Sequence, residues 1–201
     1  MGAFLFRYSE VVYSKPVEFV KRARIMGFKD SCTGEKVSRE DFAHTLVMAA
    51  VANLIDLNAL SLKWAEVKGW GPFKKKGFFL TREEGKIERG LEAVLLNSLG
   101  EDGSFLSDAL SRIIGGESSD PHTDIIGIVE KELAQAGKGS FEGRIRKKFK
   151  FNCEEPQKER ITKVTSSIEM VRRTFPKLEK EIRNSLNSLI KRLGGDMDDF
   201  D

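Results

Sequence analysis

Two histidines, His44 and His122, are the first residues of this 201-residue chain that could supply acid-base or metal chemistry. Neither has a second histidine or a cysteine at the short spacing that metal ligands on one element use. A single histidine on a helix is more often structural or solvated than reactive. The sequence therefore predicts no metal site and no catalytic histidine.

Two further patterns suggest catalysis but fail on their spacing. Gly137-Lys138-Gly139-Ser140 partly resembles a phosphate-binding loop, but the glycine required five positions earlier is Glu132, and a glycine follows the lysine where Ser or Thr is needed. Glu83-Glu84 and Glu154-Glu155 are adjacent carboxylates, which diverge on a helix and cannot flank one scissile bond. We therefore predict a protein without enzymatic activity or a cofactor.

Two basic clusters remain as candidate sites for an anionic partner. The first, which we call the turn cluster, consists of Lys68, Trp70, Lys74, Lys75 and Lys76. The second, the strand cluster, consists of Arg144, Arg146, Lys147, Lys148 and Lys150. Positive charge suits phosphates, and neighbouring aromatic rings suit bases or lipid interfaces. The alternative is a solvated loop and an edge strand that its charge protects against aggregation.

The turn cluster lies between two predicted strands that follow a predicted helix. Ser38 and Asp41 stand at capping-box spacing before apolar residues that recur at helical intervals. Alternating residues at 60–64 and the apolar run at 78–80 then predict two strands. The glycine-rich loop between them would form a wing.

An extended segment and a helix are predicted before this unit. Residues 3–13 alternate loosely between apolar and charged side chains, which favours an extended arm. Ser14 and Pro16 predict a helix start, and Gly27 predicts its end. The polar residues from Asp30 onward would form a loop.

Three more helices are predicted after the wing. Thr81, Ser104 and Asp120 would be their N-caps, and glycines would end each of them. The segment Phe141 to Phe151 would then be a single strand with a basic face. Because a strand would hold these charges in one row, we expect the strand cluster to bind an anion more strongly than the turn cluster.

The C-terminal segment, residues 156–193, is predicted to form helices divided at Pro176. It contains an apolar stripe with heptad-like spacing: Ile161, Val164, Ile168 and Val171. The stripe could pair with a second copy or another protein, or it could pack on its own chain. Residues 194–201 contain four aspartates and are predicted to be a disordered acidic tail.

These elements predict a mainly α fold with small β-wings, built from one or two winged-helix-like units and a long C-terminal helical segment. The predicted units are residues 1–81, residues 82–151, the C-terminal helices and the tail. With 40 % apolar and 32 % charged residues the composition is ordinary for a globular protein. The net charge of +3 is too small to mark a dedicated nucleic-acid binder, so local clustering matters more than the total.

The cellular location is predicted from the cysteines and the apolar runs. Cys32 and Cys153 are far apart and have no neighbouring cysteine, unlike the disulfide framework of a secreted module. This favours a reducing cytoplasm. No apolar run approaches the roughly 20 residues that span a bilayer, so a membrane role would be peripheral.

From Leu46 to Thr81 the order helix, strand, basic turn, strand resembles that of winged-helix proteins. The longer order, up to the strand cluster, resembles winged-helix-like soluble domains of uncharacterised prokaryotic proteins and, more distantly, the Golgi phosphoprotein family. The last resemblance implies peripheral binding to anionic lipid headgroups. Asn58-Ala59 stands where that family tends to place an arginine-glycine step, so no site residue is transferred.

The function expected from the sequence is that of a non-enzymatic binding or regulatory module for an anionic partner. Nucleic acid is favoured over an anionic lipid surface. An assembly or scaffold module that uses the apolar stripe is the alternative.

Overall fold

A computed structural model describes residues 7–20, 27–30, 32–68, 74–85, 87–115, 119–144, 147–154 and 157–194. Trp70, Arg146 and the predicted acidic tail after Gly194 lie outside these ranges, as do parts of the predicted N-terminal arm and of the helix predicted from Pro16. Lys68 and Lys74 are described through their strand backbone alone. All later statements concern the described residues.

Short antiparallel sheets alternate with helices along the chain. The helices are α1 (Tyr8–Ser14), α2 (Pro16–Phe19), α3 (Arg39–Asp56), α4 (Gly90–Asn97), α5 (Leu106–Ile114), α6 (Pro121–Gln135), α7 (Lys158–Thr174) and α8 (Leu178–Gly194). The strands are β1 (Gly27–Lys29), β2 (Lys36–Ser38), β3 (Leu60–Lys68), β4 (Lys74–Arg82), β5 (Ser104–Phe105), β6 (Gly139–Glu142) and β7 (Lys148–Phe151). They form the sheets β1-β2, β3-β4-β5 and β6-β7. The coarse prediction of a mainly helical chain with small β elements is confirmed.

Helix α3 is the centre of the molecule. The Ser38 hydroxyl accepts a hydrogen bond from the Asp41 amide at 3.3 Å, as the capping box predicts. Every residue from Phe42 to Leu54 is buried, so the helix is enclosed on all sides. Helices α1, α4, α6, α7 and α8 all pack on it. A helix enclosed in this way has no face to place in a DNA groove.

The predicted extended arm is wrong for residues 8–14, which form α1. Tyr8, Val11 and Val12 also fit helical spacing, and all three are buried. The Tyr8 hydroxyl hydrogen-bonds with Asp56 of α3 and with Ser167 of α7, at 2.9 Å from the latter. Packing on two helices therefore overrides a loose alternation that was compatible with both periods.

The helix predicted from Thr81 begins nine residues later, at Gly90. Thr81 and Arg82 instead continue β4, because they pair with Ser61 and Leu60 of β3. A nine-residue ladder supplies more backbone hydrogen bonds than one capping box. The apolar positions of the prediction keep their role, since Leu91 and Leu95 are buried.

The other two predicted N-caps have different outcomes. Asp120 caps α6 as predicted, accepting a hydrogen bond from the Thr123 amide at 3.1 Å. Ser104 belongs to β5 instead, opposite Leu80, and α5 starts at Leu106. The Ser104 hydroxyl is used to accept from the Gly100 amide at 3.0 Å.

The C-terminal helices pack on the same core as the rest of the chain. Val164, Ile168 and Val171 are buried, and α7 packs on α3. Ile161 is partly buried against this core. Pro176 lies in the turn between α7 and α8, so the predicted division is confirmed, but the new helix begins at Leu178 and not at Pro176 itself. Of the two alternatives for the apolar stripe, the structure shows packing within its own chain.

A disulfide joins Cys32 to Cys153, whose Cα atoms are 5.3 Å apart. The two cysteines are bonded although their spacing is unlike a secreted disulfide framework, so they do not support the predicted reducing cytoplasm. Sequence separation conceals the pair, because the turn after β1 and the end of β7 meet only through the packing of Tyr13 on Phe28 and Phe151. No helix among the described residues is long and apolar enough to cross a bilayer.

Two buried carboxylates lie together between α4 and α6. Glu92 accepts a hydrogen bond from the Asn53 amide at 3.0 Å, and Glu132 forms an ion pair with Arg7. A Cβ atom on Gly90, whose φ is +88°, would lie within 3 Å of an oxygen of each carboxylate. Burial raises the pKa of Glu92, while Asn53 and Arg7 lower it.

We expect the Glu92→Gln variant to lose less stability than the wild type as pH rises. The folded state keeps the Glu92 proton to a higher pH than the unfolded state, so stability present at low pH is lost as pH rises through the folded pKa. Urea unfolding between about pH 5 and 8 measures this slope. The exposed Glu88→Gln variant is the control for charge alone. Parallel curves of stability against pH for the wild type and Glu92→Gln would contradict a raised pKa of Glu92.

We expect the disulfide to contribute about 2–5 kcal/mol to the free energy of unfolding, because it closes a long loop. Guanidinium unfolding of the oxidised protein, the reduced protein and Cys153→Ser would measure the difference. Alkylation in denaturant should label no cysteine before reduction and two afterwards. Labelling of both cysteines without reductant would show that the bond does not form.

Candidate functional site

The segment predicted as one basic strand is a hairpin. Strands β6 and β7 pair antiparallel, with Phe141 opposite Phe149 and Glu142 opposite Lys148. Arg144 lies in the exposed bend between the strands. The predicted single row of Arg144, Arg146, Lys148 and Lys150 is therefore wrong, because the chain reverses direction before Lys148.

The two faces of this hairpin carry different chemistry. Lys148 and Lys150 are exposed on the face that also carries Ser140 and Glu142. The aromatic residues Phe141, Phe149 and Phe151 occupy the opposite face, where Phe151 is buried and Phe141 is 40 % exposed. Basic and aromatic residues are neighbours along the sequence of this segment. The pleat separates them, so an anion bound to the lysines does not contact Phe141.

Positive charge is concentrated at this hairpin. Between residues 138 and 151 the sequence has six basic residues and a single carboxylate, Glu142, whereas the whole chain carries only +3. The carboxylate lies 3.6 Å from Lys150. Lys147, Lys148 and Arg144 are exposed beside it. The excess charge therefore faces solvent.

Polar and aromatic contacts hold the base of the hairpin. The Asn152 side-chain amide donates to the Gly137 carbonyl at 2.9 Å, and the Asn152 backbone amide donates to the Lys138 carbonyl at 2.7 Å. Gly137 has a φ of +71°, which favours glycine where the chain leaves α6. Tyr13 packs edge-on against Phe149 at 5.4 Å. These contacts, with the disulfide next to Asn152, fix the position of the basic strands.

In the turn cluster, both lysines whose side chains are described, Lys75 and Lys76, are paired with carboxylates. Lys75 forms an ion pair with Asp108 and lies over the Phe105 ring, and Lys76 lies 2.8 Å from Glu66. Both belong to β4, which is in a different sheet from the strand cluster. The structure therefore does not bring the two basic clusters into one sheet.

His44 of α3 and His122 of α6 lie in contact, with ring centroids 5.3 Å apart. They are 2 % and 3 % exposed. No described protein group hydrogen-bonds to either ring nitrogen of His44 or to Nε2 of His122. No local pattern in the sequence indicates this pair, because it forms only when α6 packs on α3.

Both imidazoles are neutral at pH 7. Burial, together with the nearby Arg183 and His122 and against the opposing effect of Asp41, lowers the pKa of His44 to about 3. Burial also lowers the pKa of His122, against the opposing carboxylates of Glu40 and Asp120. No group of three or more potential metal ligands occurs in the part of the chain that the structure describes.

His44 lines a pocket of about 300 Å³ between α2, α3, α7 and α8. The polar residues of its wall are Asp41, His44, Thr45, Arg172, Glu179 and Arg183. Phe19 and Val20 form an apolar part of the wall. Two ion pairs cross it, Arg183 to Asp41 at 2.8 Å and Arg172 to Glu179 at 3.1 Å.

No family model, no curated protein and no solved structure matches this chain. The resemblance to winged-helix proteins and to the Golgi phosphoprotein family therefore stays one of element order. Any function has to be argued from the geometry of the chain itself.

We expect the His44→Gln variant to lose less stability than the wild type in mild acid. Unfolded histidine takes up a proton below about pH 6.5, whereas buried His44 does not, so wild-type stability falls as pH drops through that value. Urea unfolding against pH measures the difference in slope. Imidazole NMR signals of wild-type His44 should not shift between about pH 7 and 5. A titration centred near 6.5 would contradict the neutral buried ring.

Proposed function

We propose that this protein is a non-enzymatic binding module for an anionic macromolecule, and that nucleic acid is its partner. The observation that carries the proposal is the solvent face of the β6-β7 hairpin, where Lys148 and Lys150 lie beside Lys147 and Arg144. Basic side chains on a fixed strand hold their charge ready for phosphates.

The mode of binding follows from what is buried and what is exposed. Helix α3 is enclosed, so base reading by this helix in a major groove is not available. Phe141 lies on the opposite face from the lysines, so base stacking does not accompany their contacts. The interaction is therefore with the phosphate backbone, tolerant of sequence and sensitive to salt.

A peripheral lipid interaction is the second candidate, and one observation favours it. Trp64 of β3 is 49 % exposed, and the ammonium group of Lys177 lies 5.0 Å from its ring centroid. Aromatic and basic side chains together suit a membrane interface. Assembly through the apolar stripe has less support, because Val164, Ile168 and Val171 are already buried within the chain.

We expect replacement of Lys147, Lys148 and Lys150 by Ala to weaken binding to a single-stranded oligonucleotide. Loss of three phosphate contacts should reduce the slope of log affinity against log salt by about 2. Replacement of Lys75 and Lys76 should have a smaller effect, because Asp108 and Glu66 already neutralise these lysines. Fluorescence anisotropy at several salt concentrations measures both.

The matched control replaces three exposed lysines elsewhere, Lys131, Lys158 and Lys180, by Ala. It removes the same charge and should leave the slope nearly unchanged. An equal loss in the control would show that only net charge matters and would contradict the proposed surface. Parallel measurements with anionic and neutral vesicles test the second candidate. If the protein binds anionic vesicles but neither neutral vesicles nor the oligonucleotide, the partner is an anionic lipid surface and not nucleic acid.

A further inference from the structure

The pocket beside His44 has the composition of a binding site. It lies where the end of α2, the first half of α3, the end of α7 and the first half of α8 meet. Its volume of about 300 Å³ is at the lower limit of ligand pockets, and it corresponds to about ten water molecules. A molecule of about ten non-hydrogen atoms fits this space.

Charges of both signs converge on the pocket in equal number. Arg183 donates through Nη2 to Asp41, and Arg172 donates through Nε to Glu179. A guanidinium group has five N–H donors, and a carboxylate has about four acceptor positions. One hydrogen bond per pair therefore leaves donors on both arginines and acceptors on both carboxylates for a ligand.

His44 is a buried polar group that the protein leaves unsatisfied. Neither of its ring nitrogens has a described hydrogen-bond partner, although the side chain is 2 % exposed. A buried polar group without a partner costs about 1–3 kcal/mol. Both nitrogens are closed off from solvent, so they do not open into the pocket, and the charged groups that a ligand can reach there are those of Asp41, Arg172, Glu179 and Arg183.

We propose that this pocket binds a small zwitterion, an α-amino acid with an apolar side chain. Its carboxylate accepts hydrogen bonds from the remaining N–H groups of Arg172 and Arg183. Its ammonium group donates hydrogen bonds to the remaining oxygens of Asp41 and Glu179. Its side chain packs on Phe19 and Val20.

The balance of charge selects this class over simpler ions. A molecule with only negative charge would face the carboxylates of Asp41 and Glu179, and one with only positive charge would face two guanidinium groups. A zwitterion satisfies both signs at once. The imidazole of His44 in the wall is neutral and leaves this balance undisturbed.

The inference is independent of the proposed hairpin function. The pocket uses none of the residues of the strand cluster, and the β6-β7 hairpin forms none of its wall. Loss of nucleic-acid binding would leave the pocket intact, and loss of ligand binding in the pocket would leave the hairpin surface intact.

The test compares leucine with two derivatives that each lack one charge. NMR titrations of the isotope-labelled full chain follow the signals of His44 and Thr45 at constant ionic strength. Leucine should shift them in a saturable way. Leucinamide, which lacks the carboxylate, and N-acetyl-leucine, which lacks the ammonium group, should each bind at least about tenfold more weakly. Absence of saturation by leucine, or equal affinity for either derivative, would overturn the proposal.

Variants provide a second measurement. Arg183→Gln should weaken leucine binding about tenfold, because it removes a charged donor from the wall. Arg173→Gln is the matched control: this neighbouring arginine does not line the pocket, and its side chain is 84 % exposed. Equal weakening in both variants would also overturn the proposal. If Arg183→Gln does not fold, the comparison of the three ligands on the wild-type chain decides the question.

Discussion

Complete burial of α3 is the constraint on which the rest of the structure depends. A helix buried from Phe42 to Leu54 needs neighbours on every side, and five other helices supply them. Its few polar groups need partners as well, since an unsatisfied buried polar group costs about 1–3 kcal/mol. The buried Asn53 donates to Glu92 on α4, and the exposed Asp56 at the helix end accepts hydrogen bonds from Tyr8 on α1 and Ser167 on α7. Each pairing fixes the position of one surrounding helix.

The enclosed centre leaves the hairpins as the accessible elements with concentrated charge. Strands β3 and β4 form a long hairpin on which Lys75 and Lys76 are paired with acidic residues. Strands β6 and β7 form a short hairpin on which Lys147, Lys148 and Arg144 face solvent. Local pairing of charges, more than the number of lysines, therefore decides where positive charge is left uncompensated at the surface.

The His44 pocket differs from the hairpin in its net charge, because the positive and negative charges of its wall are equal in number. Two arginines and two carboxylates hold each other in place across the junction of α3, α7 and α8. The neutral imidazole of His44 closes the pocket without adding charge. The ligand proposed for this pocket would be recognised by matching two signs of charge, whereas the partner proposed for the hairpin would be recognised by one sign alone. The same chain thus offers two surfaces with distinct electrostatic requirements.

The sequence by itself determined the elements whose signals are local. The Ser38 cap and apolar spacing identify α3, Asp120 identifies the start of α6, and alternation identifies β3. Only the tertiary structure decided that residues 8–14 are helical, that the strand cluster is folded into a hairpin, and that Cys32 meets Cys153. It also decided the His44–His122 contact. The physical reason is the range of the interactions: caps and periodicity act over a few residues, whereas burial, cross-strand pairing and disulfide bonding depend on residues far apart in sequence.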